Sequence, residues 1–314
     1  MKWDKSSQAN AQAYVEKAAE NAPQYEASSK KAFGERMKEW RQQLTQRGDD
    51  ILANLWGQGQ EFASFLSVLS RFNLSQPEGT VGEGVTNGAV IYDQMPTAKC
   101  LKTFDQWADL GARIKKGSHS INLLVRRDKV EDTRRTTYYN AAKVFDVAQT
   151  TCQYHDTQPM LDELDVLRSI SNSRLFDILV REDLPDGLEA AYISKINEVW
   201  VLDGLNTQET RVALLRETAH YFLSKDAPSY VRSPEANFEA YTSAYLISQY
   251  FGLDTSKELM PFPEEAFPPL EKATDIRGLV ASALDVSQRM CETMERTLEK
   301  LGTQLYHQNE EINR

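Results

Sequence analysis

The stretch Leu215-Arg216-Glu217-Thr218-Ala219-His220 indicates how the second half of this 314-residue chain folds. In a zinc-binding H-E-x-x-H helix, two histidines on one face hold the metal and the glutamate between them polarises the metal-bound water. This chain has the glutamate, Glu217, and the second histidine, His220. Arg216 stands where the first histidine is expected, and a guanidinium has no lone pair to offer a cation. The pattern indicates a zinc-peptidase helix with an incomplete metal site, although the bare tetrapeptide also fits a solvated helix face.

The elements predicted around this helix favour the metal-site interpretation. A β-hairpin over residues 190–202 precedes the helix, and a second helix over residues 235–251 follows it. Zinc peptidases of the gluzincin type take their third ligand from such a following helix, which makes Glu239 the first candidate and Glu235, one turn earlier, the second. Carboxylates on a helix more often face solvent, so the ligand role stays one of two alternatives. If zinc is bound, His220 holds it with these carboxylates and Glu217 is the general base.

Arg216 also allows an arrangement without metal. A cationic side chain can replace the charge of an ion, so a salt bridge from Arg216 to Glu217, Glu235 or Glu239 would fill the metal position. The composition favours no thiolate alternative, because the three cysteines are far apart and form no C-x-x-C pair. We therefore expect no cofactor, and zinc only if the site is active.

Charge is distributed unevenly along the chain. The net charge is -10, yet residues 96–150 carry 11 basic and 6 acidic side chains, whereas residues 151–314 carry 15 basic and 28 acidic ones. No run of eighteen apolar residues occurs and the N-terminus lacks the apolar core of a signal peptide. We expect a cytoplasmic protein without a membrane partner, with a basic surface embedded in an acidic molecule.

The basic segment alternates cations with aromatic residues, as a single-strand binder requires: cations neutralise phosphates and aromatic faces stack on bases. An ordinary solvated sheet face with a few core aromatics fits the same residues. The candidate phosphate contacts are Arg113, Lys115, Lys116, Arg126, Arg127, Arg134 and Arg135, and the candidate stacking faces are Trp107, Tyr138 and Tyr139.

Local patterns predict the remaining elements. Short apolar and β-branched runs predict strands, Gly-rich stretches predict loops, and apolar residues at helical spacing predict helices. The predicted strands are 90–92, 121–125, 136–139 and 143–145; a helix over 103–110 is closed by Gly111; other helices cover 51–72, 160–170, 207–223 and 276–312; and 77–88 is a loop.

Two regions resemble a known family. Ser70-Arg71-Phe72-Asn73, Thr103-Phe104-Asp105-Gln106-Trp107, the run from Gly111 to Gly117 and the run from Val144 to Thr150 resemble the N-terminal domain of ArdC-type antirestriction proteins. Residues 190–254, including Glu217 and His220, resemble the metallopeptidase-like domain that follows it. The resemblance implies a single-stranded-DNA-binding domain joined to a zincin-like domain, encoded on a plasmid, phage or other mobile element. The family pattern expects histidine where Arg216 stands.

The resulting prediction is an α+β protein in four segments. Residues 1–50 form a polar helical extension, 51–155 a small α+β domain that binds single-stranded DNA, 156–270 a mainly helical zincin-like domain with a short sheet, and 271–314 a C-terminal amphipathic helix. We expect an antirestriction-like protein without enzymatic activity. The alternatives are an active zinc metallopeptidase using His220 and Glu217, and an acidic decoy that binds a host restriction or defence protein.

Overall fold

The computed structural model describes residues 33–74, 81–131, 134–153, 159–228, 233–255, 262 and 266–302. Its elements, in chain order, are α1 (33–55), α2 (Gly59–Asn73), α3 (Val85–Gln94), β1 (Leu101–Thr103), α4 (Phe104–Asp109), β2 (Ile121–Glu131), β3 (Arg134–Asp146), α5 (Glu163–Asn172), β4 (Asp177–Arg181), β5 (Ala190–Ile193), β6 (Glu198–Leu202), α6 (Thr207–Asp226), α7 (Pro234–Tyr250) and α8 (Ala273–Lys300). The predicted α+β class is confirmed. None of these helices is long and apolar enough to cross a membrane.

The first sheet is antiparallel, with the strand order β1-β3-β2. β2 and β3 form a long hairpin whose register runs from Ile121 opposite Val144 to Glu131 opposite Arg134. Alternate side chains at the base of the hairpin join a buried cluster with α2 and α3. The open edge of β2 is covered by the Asn87 side chain, which accepts from the Leu124 N–H at 2.8 Å and donates to its carbonyl at 2.7 Å. Asn87 thereby takes the place of a neighbouring strand.

The second sheet has the order β4-β6-β5, with β4 parallel and β5 antiparallel to β6. It belongs to the main buried core, which also contains residues of α1, α2 and α5 to α8. α2 is fastened to α7 by the Ser70 hydroxyl, which donates to the Leu246 carbonyl at 3.0 Å. The four-segment division stays a prediction, and the main core extends across its boundary at residue 155.

Several local predictions were right and others were wrong. α4 follows Thr103, whose side chain and that of Gln106 form a capping box, and Gly111 after it has φ of 71°. Val90, Ile91 and Tyr92 lie in α3 and not in a strand, because a helix buried on several sides carries a continuous apolar run. The predicted strands 136–139 and 143–145 are both parts of β3.

The predicted helix 51–72 is interrupted between α1 and α2, where Gly57 has φ of 81°. The predicted loop 77–88 overlaps α3 from Val85 onwards, and its residues 77–80 lie outside the described residues. Residues 1–32 and 303–314, which include most of the predicted N-terminal extension and the end of the C-terminal helix, also lie outside them.

Raised tyrosine pKa values predict that alkaline pH destabilises this fold. Burial and a 2.5 Å hydrogen bond to the Glu61 carboxylate raise the pKa of Tyr92 to about 12, and burial also raises the pKa values of Tyr245 and Tyr250. Below about pH 10 these phenols are protonated in both the folded and the unfolded chain, so their contribution to stability is fully present there. It is lost as the pH rises from the unfolded pKa through the folded one.

Urea unfolding should therefore give a lower free energy of unfolding at about pH 11 than at about pH 8. A Tyr92→Phe variant should lose less stability over this interval than the unaltered chain. An equal loss in both proteins would show that Tyr92 does not contribute.

Candidate functional site

The helix that carries the incomplete zinc motif, α6, is held in the core by its caps and its apolar side chains. The Asn206 side chain accepts from the Glu209 N–H, and the Glu209 side chain accepts from the Asn206 N–H in return. His220 on α6 and Glu239 on α7 are both buried, and the two helices pack against each other. The described fold thus places the second histidine and the predicted third ligand on neighbouring buried helices.

Glu217 is a structural acceptor. Its side chain is 2% exposed, and one carboxylate oxygen accepts a hydrogen bond from the Tyr192 N–H at 2.6 Å. Tyr192 lies in β5, at the edge of the second sheet, so this bond fastens α6 to that edge. One carboxylate oxygen is thus occupied by the backbone of β5, and Glu217 also borders the cleft beside Arg216. The role of Glu217 as a general base stays a prediction.

Replacing Glu217 should show how much the hydrogen bond from the Tyr192 N–H stabilises the fold. In Glu217→Ala the buried Tyr192 N–H loses this acceptor, and we expect the free energy of unfolding to fall by about 2 kcal/mol. Glu217→Gln keeps an oxygen of the same shape, so its loss should be smaller than that of Glu217→Ala. Urea unfolding measures both. Equal losses in the two variants would contradict the assignment of the hydrogen bond as the main contribution.

Arg216 faces a cleft of about 250 Å³ that is bordered by α6 and by the segment leading into β5. Its guanidinium lies 3.9 Å from the Glu189 carboxylate and 5.8 Å from the centre of the Tyr241 ring, and its side chain is 34% exposed. The predicted salt bridge to Glu217, Glu235 or Glu239 is wrong: within the described part of the chain, Arg216 pairs with Glu189. The physical reason is that the Glu217 carboxylate is held by β5, whereas Glu189 lies on the segment leading into β5, which borders the cleft that Arg216 faces.

The predicted zinc ligands do not fit a metal ion. A protein zinc site needs three or four convergent His, Cys, Asp or Glu side chains. Across the described ranges no three such side chains come together, so the predicted set of His220, Glu239 and Glu235 is not assembled. Glu235 is half-buried in the first turn of α7.

The loop between α4 and β2 presents three of the predicted DNA contacts. Arg113, Lys115 and Lys116 are exposed there. The loop backbone is held against the end of β3, because the Lys115 N–H donates to the Gln149 carbonyl at 2.8 Å and the Lys115 ammonium donates to the Ala148 carbonyl at 2.9 Å. These cations therefore occupy a defined position.

The hairpin presents the next group. Arg126 and Arg127 are exposed on β2, opposite Tyr139 and Tyr138 on β3. Side chains alternate between the faces of a strand, so the Arg126–Tyr139 pair and the Arg127–Tyr138 pair lie on opposite faces of the hairpin. Backbone register places Arg134 and Arg135 nearer the turn, opposite Glu131 and Val130.

The prediction that Trp107 is a stacking face is wrong. Trp107 is 1% exposed, packs with Cys100 and Val147, and donates its indole N–H to the Phe145 carbonyl at 2.9 Å. Its ring fastens α4 to β3. The signal was misleading because an aromatic residue on a short amphipathic helix among basic residues has the same sequence pattern whether it faces the core or solvent.

Several residues that carry the family resemblance stabilise the fold. Arg71 donates to the carbonyls of Pro96 and Ala98 at 3.1 and 2.7 Å. The Asp146 carboxylate accepts from the N–H groups of Lys99 and Cys100 at 2.8 and 3.0 Å and caps the 3-10 turn that follows β3. These motifs therefore mark a framework around the hairpin and not its exposed surface.

Comparisons with known proteins give the following relatives. No family model matches the chain. Over 259 residues it is 19% identical to an uncharacterized protein of Bacillus anthracis, a match that covers 65% of this chain and 42% of that protein. The chain thus spans less than half the length of that relative.

Among solved structures, the chain is similar to the antirestriction protein ArdC from plasmid R388. The metal-free crystal structure has a TM-score of 0.46 and 13% identity, covering 74% of this chain and 92% of that chain. The Mn(II)-bound crystal structure has a TM-score of 0.48 and 15% identity, covering 73% and 91%.

Proposed function

We propose that this chain binds single-stranded DNA along the β2–β3 hairpin, as an antirestriction-like protein of a mobile genetic element. The observation that carries the proposal is the pairing of Arg126 with Tyr139, directly opposite each other in the register and both exposed, in a segment with 11 basic and 6 acidic side chains. A guanidinium neutralises a phosphate, and a phenol ring on the same face stacks on a base without regard to its identity.

The exposed cations offer a path for one strand. From Ile121, next to the basic loop, to Arg126 the backbone of β2 advances about 17 Å at roughly 3.4 Å per residue, a distance that a few nucleotides span. Lys115 and Lys116 lie on the loop that leads into β2, Arg126 lies farther along it, and the turn of the hairpin lies beyond. A DNA strand that follows these positions therefore contacts lysines of the loop at one end of this distance of about 17 Å and Arg126 at the other.

The helical part around α6 and α7 serves in this proposal as a scaffold without peptidase activity. Glu217 holds β5, Arg216 stands in the position of a metal ligand, and the candidate ligands are not assembled. Metal analysis of protein purified without chelator tests this assignment. Stoichiometric zinc would overturn it and restore the metallopeptidase alternative.

Fluorescence anisotropy with a labelled single-stranded oligonucleotide tests the DNA proposal. We expect a complex at about 50 mM salt. The logarithm of its affinity should fall linearly with the logarithm of the salt concentration, with a slope of about -0.7 for each phosphate contact. A duplex of the same length serves as competitor and should compete poorly, because its bases are not available for stacking. Absence of a complex at low salt, or equal competition by the duplex, would refute the proposal.

A further inference from the structure

A cleft of about 550 Å³ lies beside the outer edge of the hairpin, between β2, the beginning of α3 and α8. Tyr139 and Leu124 line it from the hairpin, Glu83 from the segment before α3, and Leu284 and Gln288 from α8. Its size falls within the range of about 300–1,000 Å³ that is typical of small-molecule sites. Among the residues that line the cleft, Tyr139 is the one that also belongs to the predicted DNA contacts.

The walls of the cleft are fixed by hydrogen bonds. The Gly84 N–H donates to the Asn73 side chain at 2.6 Å, and Gly84 has φ of 91°, in the left-handed region that favours glycine. Asn87 holds the beginning of α3 against β2 through both polar groups of its amide. On the other side, the Tyr139 carbonyl accepts from Arg41 of α1 at 3.2 Å. A rigid cleft binds a flat ligand with little loss of conformational entropy.

The chemistry of the lining matches a nucleobase. A base needs an aromatic or aliphatic surface for its faces and a neutral polar group for its edge. Tyr139, Leu124 and Leu284 supply the surface, and the polar group is the amide of Gln288, whose nitrogen also donates to the Asn73 carbonyl at 3.4 Å. The Glu83 carboxylate disfavours a phosphate but accepts hydrogen bonds from an exocyclic amino group such as that of cytosine.

The position of the cleft relative to the cations also favours a nucleobase. Tyr139 lies directly opposite Arg126, and side chains opposite each other on one face have Cβ atoms about 5 Å apart. A strand whose phosphate contacts Arg126 therefore carries its neighbouring base to the Tyr139 ring, at the mouth of the cleft. We propose that this cleft receives one nucleobase, turned out of a single strand that is bound along the hairpin; the inference rests on the proposed DNA-binding function.

Two probes distinguish base binding from backbone binding: a short oligo(dC) and a backbone of the same length without bases. The full chain should bind oligo(dC) about tenfold more tightly than the abasic backbone, as expected for one stacked base. Gln288→Trp fills the cleft from an exposed position of α8, and should reduce binding of oligo(dC) to the abasic level while leaving abasic binding unchanged. Ala281→Trp, exposed on the same helix but not lining the cleft, is the matched control and should behave like the unaltered chain.

The outcomes separate the two proposals. If the unaltered chain binds both probes equally, the strand is held by its backbone alone and the base cleft is refuted while the DNA-binding function stands. If Gln288→Trp keeps the tenfold preference, the cleft is refuted as well. Tyr139→Ser provides a second variant that removes the stacking face without filling space, and it should lose the same preference. If neither probe binds the unaltered chain, the proposed function itself fails.

Discussion

Replacing Arg211 by methionine should lower the free energy of unfolding by about 3 kcal/mol, the largest effect on stability that we expect from a single substitution in this chain. Arg211 lies in α6 and its side chain is 0% exposed. Its guanidinium contacts Glu163 of α5 at 2.7 Å, the Ser248 hydroxyl of α7 at 3.2 Å and the Asp254 carbonyl after α7 at 2.9 Å. One buried cation thus joins three parts of the main core.

The cost arises from the groups that remain after the substitution. Methionine fills much of the volume of the arginine stem but donates no hydrogen bond, so Glu163 loses this cation and the Asp254 carbonyl loses this donor in a region of low dielectric. Arg211→Lys keeps the charge but cannot reproduce the planar guanidinium, so we expect its free energy of unfolding to fall by less than that of Arg211→Met. Urea unfolding with an unchanged m-value measures these differences.

Arg168 supplies the matched control. It pairs with Asp165 within α5 at 3.3 Å, but its side chain is 63% exposed. An exposed pair of this kind contributes little, so Arg168→Met should change stability by less than about 0.5 kcal/mol. If the two methionine variants lose similar amounts, the Arg211 contacts do not stabilise the fold as described.

Helices and strands were predicted correctly from the sequence where residues within a few positions of each other determine them. Thr103 and Gly111 bracket a helix because a cap and a left-handed glycine act within a few residues, and α4 lies between them. The hairpin of β5 and β6 and the helices α6 and α7 also followed from local pattern. The run Val90-Ile91-Tyr92 was assigned wrongly, because three apolar residues do not distinguish a buried helix from a strand.

The candidate sites were harder to predict because their geometry depends on residues distant in sequence. The spacing of the motif could identify Arg216 as a substitution, but not its partner Glu189, which lies 27 positions earlier and reaches the cleft through the placement of β5. Trp107 could be assigned to a core only once β3 was known to cover it. Asn87 gives no motif at all, since its role is to satisfy one exposed strand edge.

The double variant Lys116→Ala and Arg126→Ala, which removes two cations of the proposed strand path, should have the largest effect on the proposed function. Two lost phosphate contacts reduce the slope of log affinity against log salt by about 1.4, at about 0.7 per contact for single strands. Counterion release then predicts a loss of affinity of about 70-fold at about 50 mM salt and about tenfold at about 200 mM. Anisotropy titrations at these two concentrations measure both the loss and its decrease.

The decrease with salt separates a lost phosphate contact from a damaged fold. A smaller fraction of folded protein would lower the apparent affinity by a similar factor at both salt concentrations, whereas lost counterion release gives a deficit that shrinks as salt rises. Arg168→Ala with Arg296→Ala removes the same net charge from exposed positions on α5 and α8, away from the hairpin, and should leave the slope unchanged. An equal change of slope in both double variants would mean that the strand responds to the net charge of the whole molecule and not to the proposed strand path.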